Sequence, residues 1–261
     1  MSREMYNQLQ LREIFHLEFL RRFGRKMKPE CYAVKGGVNL RFFFNSIRYS
    51  EDMDIDLKGV AVNVVKDTVM DILKNANFRN NLKSYGVEEL TLPDMSKAKQ
   101  TETTQRFKVH LITPSGEDLF TKVEFSRRGF KGDVIVEEAS NNVLYPYKMI
   151  PLSVSHYSMR SAITQKIEAL AARPVTQARD IFDLYFLSSQ YQPATNKGVA
   201  ASHSKITRAD ENLFEVSFNE FKDTVVSYLD LEAQALYASP ARWDEIKLKV
   251  DSFLKGITVS K

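Results

Sequence analysis

The chain has 261 residues, of which 43% are apolar and 27% charged, and its net charge is +4. This length and composition are sufficient for one large globular domain or two small ones. The single cysteine, Cys31, excludes an intramolecular disulfide and a cysteine zinc cluster. No run reaches the roughly 18 apolar residues of a membrane span, and no signal peptide is visible. We therefore expect a cytoplasmic protein with no membrane partner, whose mild positive charge permits an RNA or nucleotide ligand without requiring one.

The N-terminal segment has apolar residues at helical spacing. They predict a helix over residues 2–23, with Gly24 as its stop. A short strand at 30–34 and a short helix at 38–44 follow. The end of the first helix is basic, with Arg21, Arg22, Arg25, Lys26 and Lys28. These residues either compensate the negative end of the helix dipole or contact a nucleic-acid backbone, and the first interpretation is the commoner one.

The next segment combines a glycine turn with an acidic strand. The pair Gly36-Gly37 leaves backbone N–H groups available at a helix N-terminus, where a phosphate binds favourably. Strand side chains alternate, so Asp52, Asp54 and Asp56 lie on one face of the strand that follows. Three carboxylates on one face repel each other, and a divalent cation such as Mg²⁺ or Mn²⁺ is their natural neutraliser. A phosphate cradle beside metal-binding carboxylates indicates nucleotide chemistry.

The middle of the chain changes from helical to strand periodicity. A helix is predicted over 62–77, and residues 80–96 show no clear pattern. Strands at 104–112 and 119–126 form a predicted hairpin. On the second strand Glu124 shares a face with Lys122. From the residues alone, Glu124 is an exposed glutamate paired with Lys122 or Arg127.

Residues 143–156 contain two prolines and predict a connector between two domains. The chain beyond it has helical periodicity throughout, apart from a loop rich in small residues at 192–204. Thr176 is a candidate N-cap for the second of these helices, and Trp243 is a candidate core anchor. The predicted helices lie at 158–172, 177–190, 219–231 and 242–254.

Several of these residues form an ordered set of motifs. The set comprises Gly36-Gly37, Arg48-x-Ser50-x-Asp52-x-Asp54, Lys122-Val123-Glu124, Lys166-x-x-Ala169-Leu170-x-x-Arg173 and Arg179-Asp180-x-x-Asp183-Leu184. In this order the chain resembles the AbiEii/AbiGii-type nucleotidyltransferase toxins, a branch of the DNA polymerase β-like nucleotidyltransferase superfamily. The resemblance covers about residues 35–187.

The resemblance implies an α+β fold. A polymerase β-like nucleotidyltransferase domain, with a mixed sheet and flanking helices, is expected at residues 1–155. A C-terminal helical bundle at residues 156–261 is expected to complete the active site.

The resemblance also assigns roles to individual residues. Asp56 is then an accessory carboxylate or a group that supports the metal ligands, and Asp183 is a structural partner, for instance of Arg179. The implied catalytic residues are Asp52, Asp54, Lys166 and Asp180, and the implied metal ligands are Asp52, Asp54 and Glu124. The implied nucleotide-binding residues are Lys35, Gly36, Gly37, Arg48, Ser50, Lys166 and Arg179.

The activity implied by the resemblance is metal-dependent transfer of a nucleoside monophosphate from an NTP to an acceptor hydroxyl, with Mg²⁺ or Mn²⁺ as cofactor. The family suggests the 3′ end of tRNA as acceptor, a cognate antitoxin as partner, and a toxin–antitoxin or abortive-infection role. A protein hydroxyl or a small molecule would serve as acceptor with the same catalytic residues. Glycosyl transfer, and a catalytically silent module that binds RNA or a partner, remain alternatives.

Overall fold

The structure is a computed structural model that describes residues 6–192 and 198–257. The chain divides into two compact units. The first comprises the chain up to Phe43 together with Tyr49–His156, and it holds the sheet. The second comprises Phe44–Arg48 and the chain from Tyr157 onward, and it is built mainly from helices. No helix within the described residues is long and apolar enough to cross a membrane.

Among its described residues, the first unit contains seven strands and five α-helices. The strands are β1 (Tyr32–Lys35), β2 (Met53–Leu57), β3 (Glu89–Thr91), β4 (Thr104–Ile112), β5 (Asp118–Ser126), β6 (Val134–Glu138) and β7 (Ser153–Tyr157). The helices are α1 (Gln8–Lys26), α2 (Gly36–Phe43), α3 (Val62–Lys74), α4 (Ala76–Tyr85) and α5 (Asn141–Leu144). One sheet holds all seven strands in the order β3-β4-β5-β2-β1-β7-β6.

The sheet is mixed, and its centre lies at β5-β2-β1. Strand β2 runs antiparallel to β1 and parallel to β5, and β4 and β5 form the predicted hairpin. Its apolar face, which includes Ile55, Val123 and Phe125, is buried. With the C-terminal helices, this architecture confirms the α+β class.

Helix α1 covers the apolar face of the sheet, and it begins and ends later in the chain than its sequence pattern indicates. It begins at a capping box formed by Asn7 and Gln10, and it continues through Gly24 to Lys26. Gly24 is therefore not a stop. A Cβ at Gly24 would lie 3.1 Å from the hydroxyl of Tyr32, so the glycine makes room for that side chain. The first residues of the predicted helix lie outside the described part.

Three strands and two helices of this unit, β3, β6, β7, α4 and α5, escaped the sequence patterns. Residues 80–96 contain most of α4, which ends at Gly86 with φ of +108°, and then β3. The predicted connector at 143–156 does not extend to residue 156, because its last residues belong to β7, which pairs with β1. Strand β7 lacks an apolar alternation because it buries polar groups with partners. The His156 ring stacks on Phe43 at 3.6 Å between centroids, and its Nδ1 lies 2.8 Å from Asn39 Oδ1.

The second unit contains six helices within the described residues. They are α6 (Met159–Ala172), α7 (Ala178–Ser188), α8 (His203–Asn212), α9 (Phe218–Thr224), α10 (Leu231–Tyr237) and α11 (Pro240–Gly256). Trp243 is a core anchor as predicted, because its ring stacks on Phe221 at 4.2 Å and its indole N–H donates to Val216 O.

Three sequence predictions in this unit differ from the structure. Helix α7 has Gln177 at its N-cap, with no side-chain cap, so Thr176 is not the cap. The predicted helix at 219–231 is split because Asp230 caps a new helix, α10. The predicted loop at 192–204 reaches into α8, and its residues 193–197 lie outside the described part of the chain.

His16 on α1 anchors the loop that precedes β2. Its Nε2 lies 2.8 Å from the Thr121 hydroxyl, which donates to the backbone carbonyl of Glu51 at 2.7 Å. Because Thr121 uses its proton on Glu51, Nε2 of His16 must donate to Thr121. Burial, assisted by the charge of Arg12, lowers the pKa of His16 to about 3. The imidazole is therefore neutral in the folded state.

The low pKa of His16 predicts a loss of stability in mild acid. The unfolded imidazole takes up a proton below about pH 6.5, whereas the folded one resists protonation until about pH 3. The stability of the fold is therefore unaffected by His16 protonation above about pH 6.5, and it decreases as the pH falls below that value. Between pH 7 and pH 5 we expect a loss of about 2 kcal/mol in the free energy of unfolding, measured by urea titration. The same titration of His16→Gln should show a flatter pH dependence, and an equally steep one would contradict the assignment.

Candidate active site

The turn from β1 into α2 brings backbone against a carboxylate. Gly36, the first residue of α2, has φ of +66°, a conformation that L side chains rarely adopt. A Cβ on Gly36 would lie 3.1 Å from Oδ2 of Asp54. Both the backbone angle and the lack of a side chain are therefore needed for the close approach of the turn to Asp54.

Gly36→Ala is expected to weaken both the turn and the site. The positive φ costs about 1–2 kcal/mol for an alanine, and the added methyl group must displace the Asp54 carboxylate. We expect a lower melting temperature together with weaker NTP binding, measured by calorimetric titration. Gly59→Ala is the matched control: Gly59 has φ of +69°, but a Cβ there meets nothing within 4 Å. Equal loss of NTP binding in both variants would contradict a specific role for Gly36.

Asp54 lies at the centre of the carboxylate group on the first unit. In the sheet register it stands between Lys35 on β1 and Glu124 on β5. Burial raises the pKa of Asp54; the charges of Glu124 and Asp52 add to this effect, and those of Lys35 and Lys122 oppose it. Asp52, Asp54 and Glu124, the three predicted metal ligands, are thus close enough to affect one another electrostatically.

Basic side chains neutralise this carboxylate group. Lys122 Nζ lies 2.7 Å from Asp52 Oδ2, and Lys35 Nζ lies 2.6 Å from Asp56 Oδ1. Glu124 pairs with Arg106 across the hairpin. Its expected partner was Lys122 or Arg127, but Lys122 turns to Asp52 and Arg127 donates to Gln105 Oε1. The sequence analysis named a divalent metal cation as the natural neutraliser of these carboxylates. In this structure the ammonium groups of lysines and the guanidinium group of an arginine pair with them.

The donor chemistry of the carboxylates fits a hard divalent cation. Oδ1 of Asp52 is buried and has no hydrogen-bond partner among the described residues, and oxygen donors are the ligands that Mg²⁺ and Mn²⁺ prefer. No group of three His, Cys, Asp or Glu side chains in the described ranges is arranged to hold a metal ion. Asp52 and Asp54 are the residues that fit best, and Lys122, the partner of Asp52, would have to move away.

Ser50 precedes the acidic strand and has a local partner. Its hydroxyl donates to the backbone carbonyl of Asp52 at 2.8 Å. This bond closes the turn into β2, so Ser50 contributes to the position of Asp52 in this structure. The predicted contact of Ser50 with a phosphate, like that of Lys35, Gly36 and Gly37, stays a prediction.

The second unit contains a buried ionic network around Lys166. Lys166 Nζ lies 2.8 Å from Asp180 Oδ1 and 2.6 Å from Asp183 Oδ2. The second oxygen of Asp180 lies 3.1 Å from Arg173 Nε. Burial opposes the charge of Lys166, but Asp180 and Asp183 outweigh it and raise the pKa of this lysine. Lys166 is therefore cationic at neutral pH.

Arg48 belongs to this network and binds Asp183 through two nitrogens. Its Nη2 lies 2.9 Å from Oδ2, and its Nε lies 3.1 Å from Oδ1. Asp183 was expected to pair with Arg179, and that expectation was wrong. Asp183 is fully buried among the charges of Arg48 and Lys166, whereas Arg179 is exposed on the surface of α7. Although burial favours the neutral carboxyl, Arg48 and Lys166 outweigh it and lower the pKa of Asp183.

Sequence reasoning missed the groups that hold the carboxylates in place. Thr121 and His16 fix the carbonyl of Glu51, Lys122 binds Asp52, and Arg106 binds Glu124. Their only sequence signal is the alternation along β5, which places Lys122 and Glu124 on one face. The register between β5 and β2 joins segments about 70 residues apart, and no local pattern reports it.

Solved structures of nucleotidyltransferases share this fold. MenT4, a nucleotidyltransferase toxin from Mycobacterium tuberculosis, superposes with a TM-score of 0.61 at 14% identity, covering 96% of this chain and 85% of that one. A putative nucleotidyltransferase from Helicobacter pylori gives a TM-score of 0.54 at 19% identity, covering 96% and 95%. JHP933 from Helicobacter pylori gives 0.51 at 20% identity, covering 97% and 92%. No curated protein matches the chain.

The fold is therefore that of a nucleotidyltransferase, and its carboxylate group lies on the sheet of the first unit. The sequence profile described as "Nucleotidyl transferase AbiEii toxin, Type IV TA system" matches residues 18–254. The chain belongs to this family, and it is a nucleotidyltransferase toxin. Membership implies an NTP substrate and a cognate antitoxin.

Proposed function

We propose that this toxin transfers a nucleoside monophosphate from an NTP to the 3′-terminal hydroxyl of tRNA. The observation that carries the proposal is the position of Asp54, half-buried beside the Gly36 turn and flanked by Asp52 and Glu124. A carboxylate kept in such surroundings, with a raised pKa, is typical of a functional site. The tRNA acceptor is supported by the family resemblance of the motifs.

The reaction forms a bond between the acceptor oxygen and the α-phosphorus, and it breaks the bond from that phosphorus to the β-phosphate oxygen. Pyrophosphate leaves, and the hydroxyl proton passes to solvent. Asp52 and Asp54, with Glu124 as a third group, would hold Mg²⁺ or Mn²⁺, which supplies neutralisation of phosphate charge. The N–H groups of the Gly36 turn are suited to the β- and γ-phosphates. The family motif assigns Lys166 to the charge of pyrophosphate, and Asp180 and Asp183 hold its ammonium in this structure.

The test uses purified protein, Mg²⁺, total tRNA and each α-³²P-labelled NTP in turn. We expect label on the tRNA 3′ end with the wild type and not with Asp52→Asn. Asp71→Asn is the matched control, because Asp71 is an exposed carboxylate that forms a long ion pair, 3.6 Å, with Lys26. Label on protein instead of RNA would support nucleotidyl transfer but would show that the acceptor is a protein side chain and not tRNA. Label that persists in Asp52→Asn would overturn the assignment of the site.

A second candidate is a silent module that keeps the fold and binds RNA or a partner without turnover. The ion pairs of Asp52 with Lys122 and of Asp56 with Lys35 favour it, because they neutralise the acidic strand without a metal. This candidate predicts that no NTP is consumed by the wild type with any acceptor, and that Asp52→Asn binds RNA as the wild type does. Consumption of NTP by the wild type alone would exclude it.

A further inference from the structure

We propose that the exposed face of the β4–β5 hairpin binds the single-stranded 3′ end of the acceptor RNA. This inference rests on the proposed function and names the surface that holds the acceptor. The surface, called the hairpin face below, is formed by Arg106, Lys108 and His110 on β4 and Phe120 and Lys122 on β5. Side chains alternate along both strands, so these residues share the face that carries Glu124.

The hairpin face continues directly from the carboxylates. Strand β5 is parallel to β2 with Asp54 opposite Glu124 and Met53 opposite Val123. Going back along β5 from Glu124, the next residue on this face is Lys122, which binds Asp52, and then comes Phe120. At ~3.3 Å per residue, Phe120 lies roughly 13 Å from Glu124 along the strand. An acceptor whose terminal hydroxyl reaches Asp54 therefore has its preceding nucleotides at Phe120.

Phe120 is an exposed aromatic side chain in a cationic setting. Its exposed fraction is 40%, although aromatic side chains of the sheet such as Phe107 and Phe125 are fully buried on the other face. Lys108 Nζ lies 4.4 Å from the ring centroid, and the His110 ring lies 6.4 Å away. An exposed aromatic ring beside a lysine ammonium is the combination that binds unpaired bases and their phosphates.

The charges of the hairpin face are not all used within the protein. Arg106 pairs with Glu124, Lys122 with Asp52, and His110 with Asp118. Lys108 stands directly opposite Lys122, and like charges in such a pair are destabilising. Among the described residues no carboxylate forms a salt bridge with Lys108, so its ammonium can move from the ring to a phosphate without breaking an ion pair.

A nucleic-acid end fits this arrangement better than a duplex does. Stacking on Phe120 requires a base that is not already stacked and paired, and Lys108 supplies one backbone contact. Base–aromatic stacking tolerates any sequence. The hairpin face would therefore select an unpaired 3′ end and place it at the carboxylates, leaving the choice of RNA to other parts of the complex.

The test measures binding of a labelled single-stranded oligoribonucleotide by fluorescence anisotropy, without NTP. We expect Phe120→Ala to weaken binding about tenfold and Phe120→Trp to preserve it. Lys108→Ala should lower the slope of log affinity against log salt by about one. Phe214→Ala is the matched control, because Phe214 is 53% exposed and lies 5.9 Å from Lys247 Nζ. Melting temperatures of the variants equal to that of the wild type would show that the variants fold.

The outcomes separate this inference from the proposed function. Affinity of Phe120→Ala within twofold of the wild type, in a protein that labels RNA, would overturn the hairpin face and leave the transferase standing. Binding through Phe120 by a protein that labels no RNA with any NTP would overturn the proposed acceptor and keep the surface. If the wild type prefers the same RNA as a blunt duplex, the single-stranded assignment falls.

Discussion

Asp54→Asn is expected to abolish nucleotide transfer and, at the same time, to stabilise the fold. Transfer should fall by at least about 10²–10³-fold, the usual cost of removing a preorganised electrostatic group, because a carboxylate that would hold the divalent cation is lost. The free energy of unfolding should rise by about 1 kcal/mol, in the range found when a costly functional group is removed. The measurements are steady-state pyrophosphate release and urea unfolding at pH 7.

The stabilising half of this prediction follows from the sign of the pKa shift. Burial and the neighbouring carboxylates raise the pKa of Asp54 in the folded state. The ionised carboxylate therefore has a higher free energy in the folded protein than in the unfolded chain. The cost is absent at a pH below the unfolded pKa and grows as the pH rises through it. The advantage of Asp54→Asn should therefore shrink in acid. A variant less stable than the wild type at pH 7 would show that the carboxylate supports the fold.

Asp52→Asn is the comparison that separates function from stability. Asp52 has an ion-pair partner in Lys122 at 2.7 Å, whereas Asp54 lies between a lysine and a glutamate. Both substitutions should abolish transfer, but only Asp54→Asn should raise stability. This contrast would be absent if the two aspartates were equivalent members of an acidic strand, as their alternation alone suggests.

Local sequence patterns were enough to predict much of the first unit. The alternation of Met53, Ile55 and Leu57 with aspartates identifies β2, and the change of period at Thr103 identifies the hairpin. These patterns work because each element exposes one face and buries the other. Strand β7 failed the same test, since Ser155 and His156 are polar yet buried, and the partners of the His156 ring, Asn39 and Phe43, lie far away in the chain.

The ionic groups of the candidate site were beyond local reasoning. Arg48 and Asp183 are 135 residues apart, and Arg48 belongs to the second unit although it is flanked by segments of the first. A motif places Arg48 two residues before Ser50, which suggests a shared role at the phosphates. The structure gives them different environments: Arg48 is buried against Asp183, and Ser50 caps a turn at Asp52. Spacing along the chain cannot distinguish a ligand contact from a structural ion pair.

Asp183→Ala is expected to destabilise the protein more than any other single substitution in the ionic network. Asp183 is fully buried and is the shared partner of Arg48 and Lys166. Its removal leaves two buried cations with less compensation, and breaking such a pair costs about 3–5 kcal/mol. Lys166 would keep Asp180 as a partner, whereas Arg48 would lose the carboxylate that compensates its charge. Urea unfolding at pH 7 measures the effect.

The charge of Asp183, and not only its volume, should account for this loss. Because its pKa is lowered in the folded state, its stabilising contribution is present above the ordinary pKa of about 3.9 and is lost as the pH falls through the folded pKa. The wild type and Asp183→Asn should therefore differ most near neutral pH and converge in acid. The control is Asp244→Asn, since the partner of Asp244, Lys247, lies on the same helix and the carboxylate is two-thirds exposed; it should change stability by less than about 0.5 kcal/mol. A gap between wild type and Asp183→Asn that is independent of pH would mean that shape and hydrogen bonding, rather than ionisation, hold Arg48 and Lys166 in place.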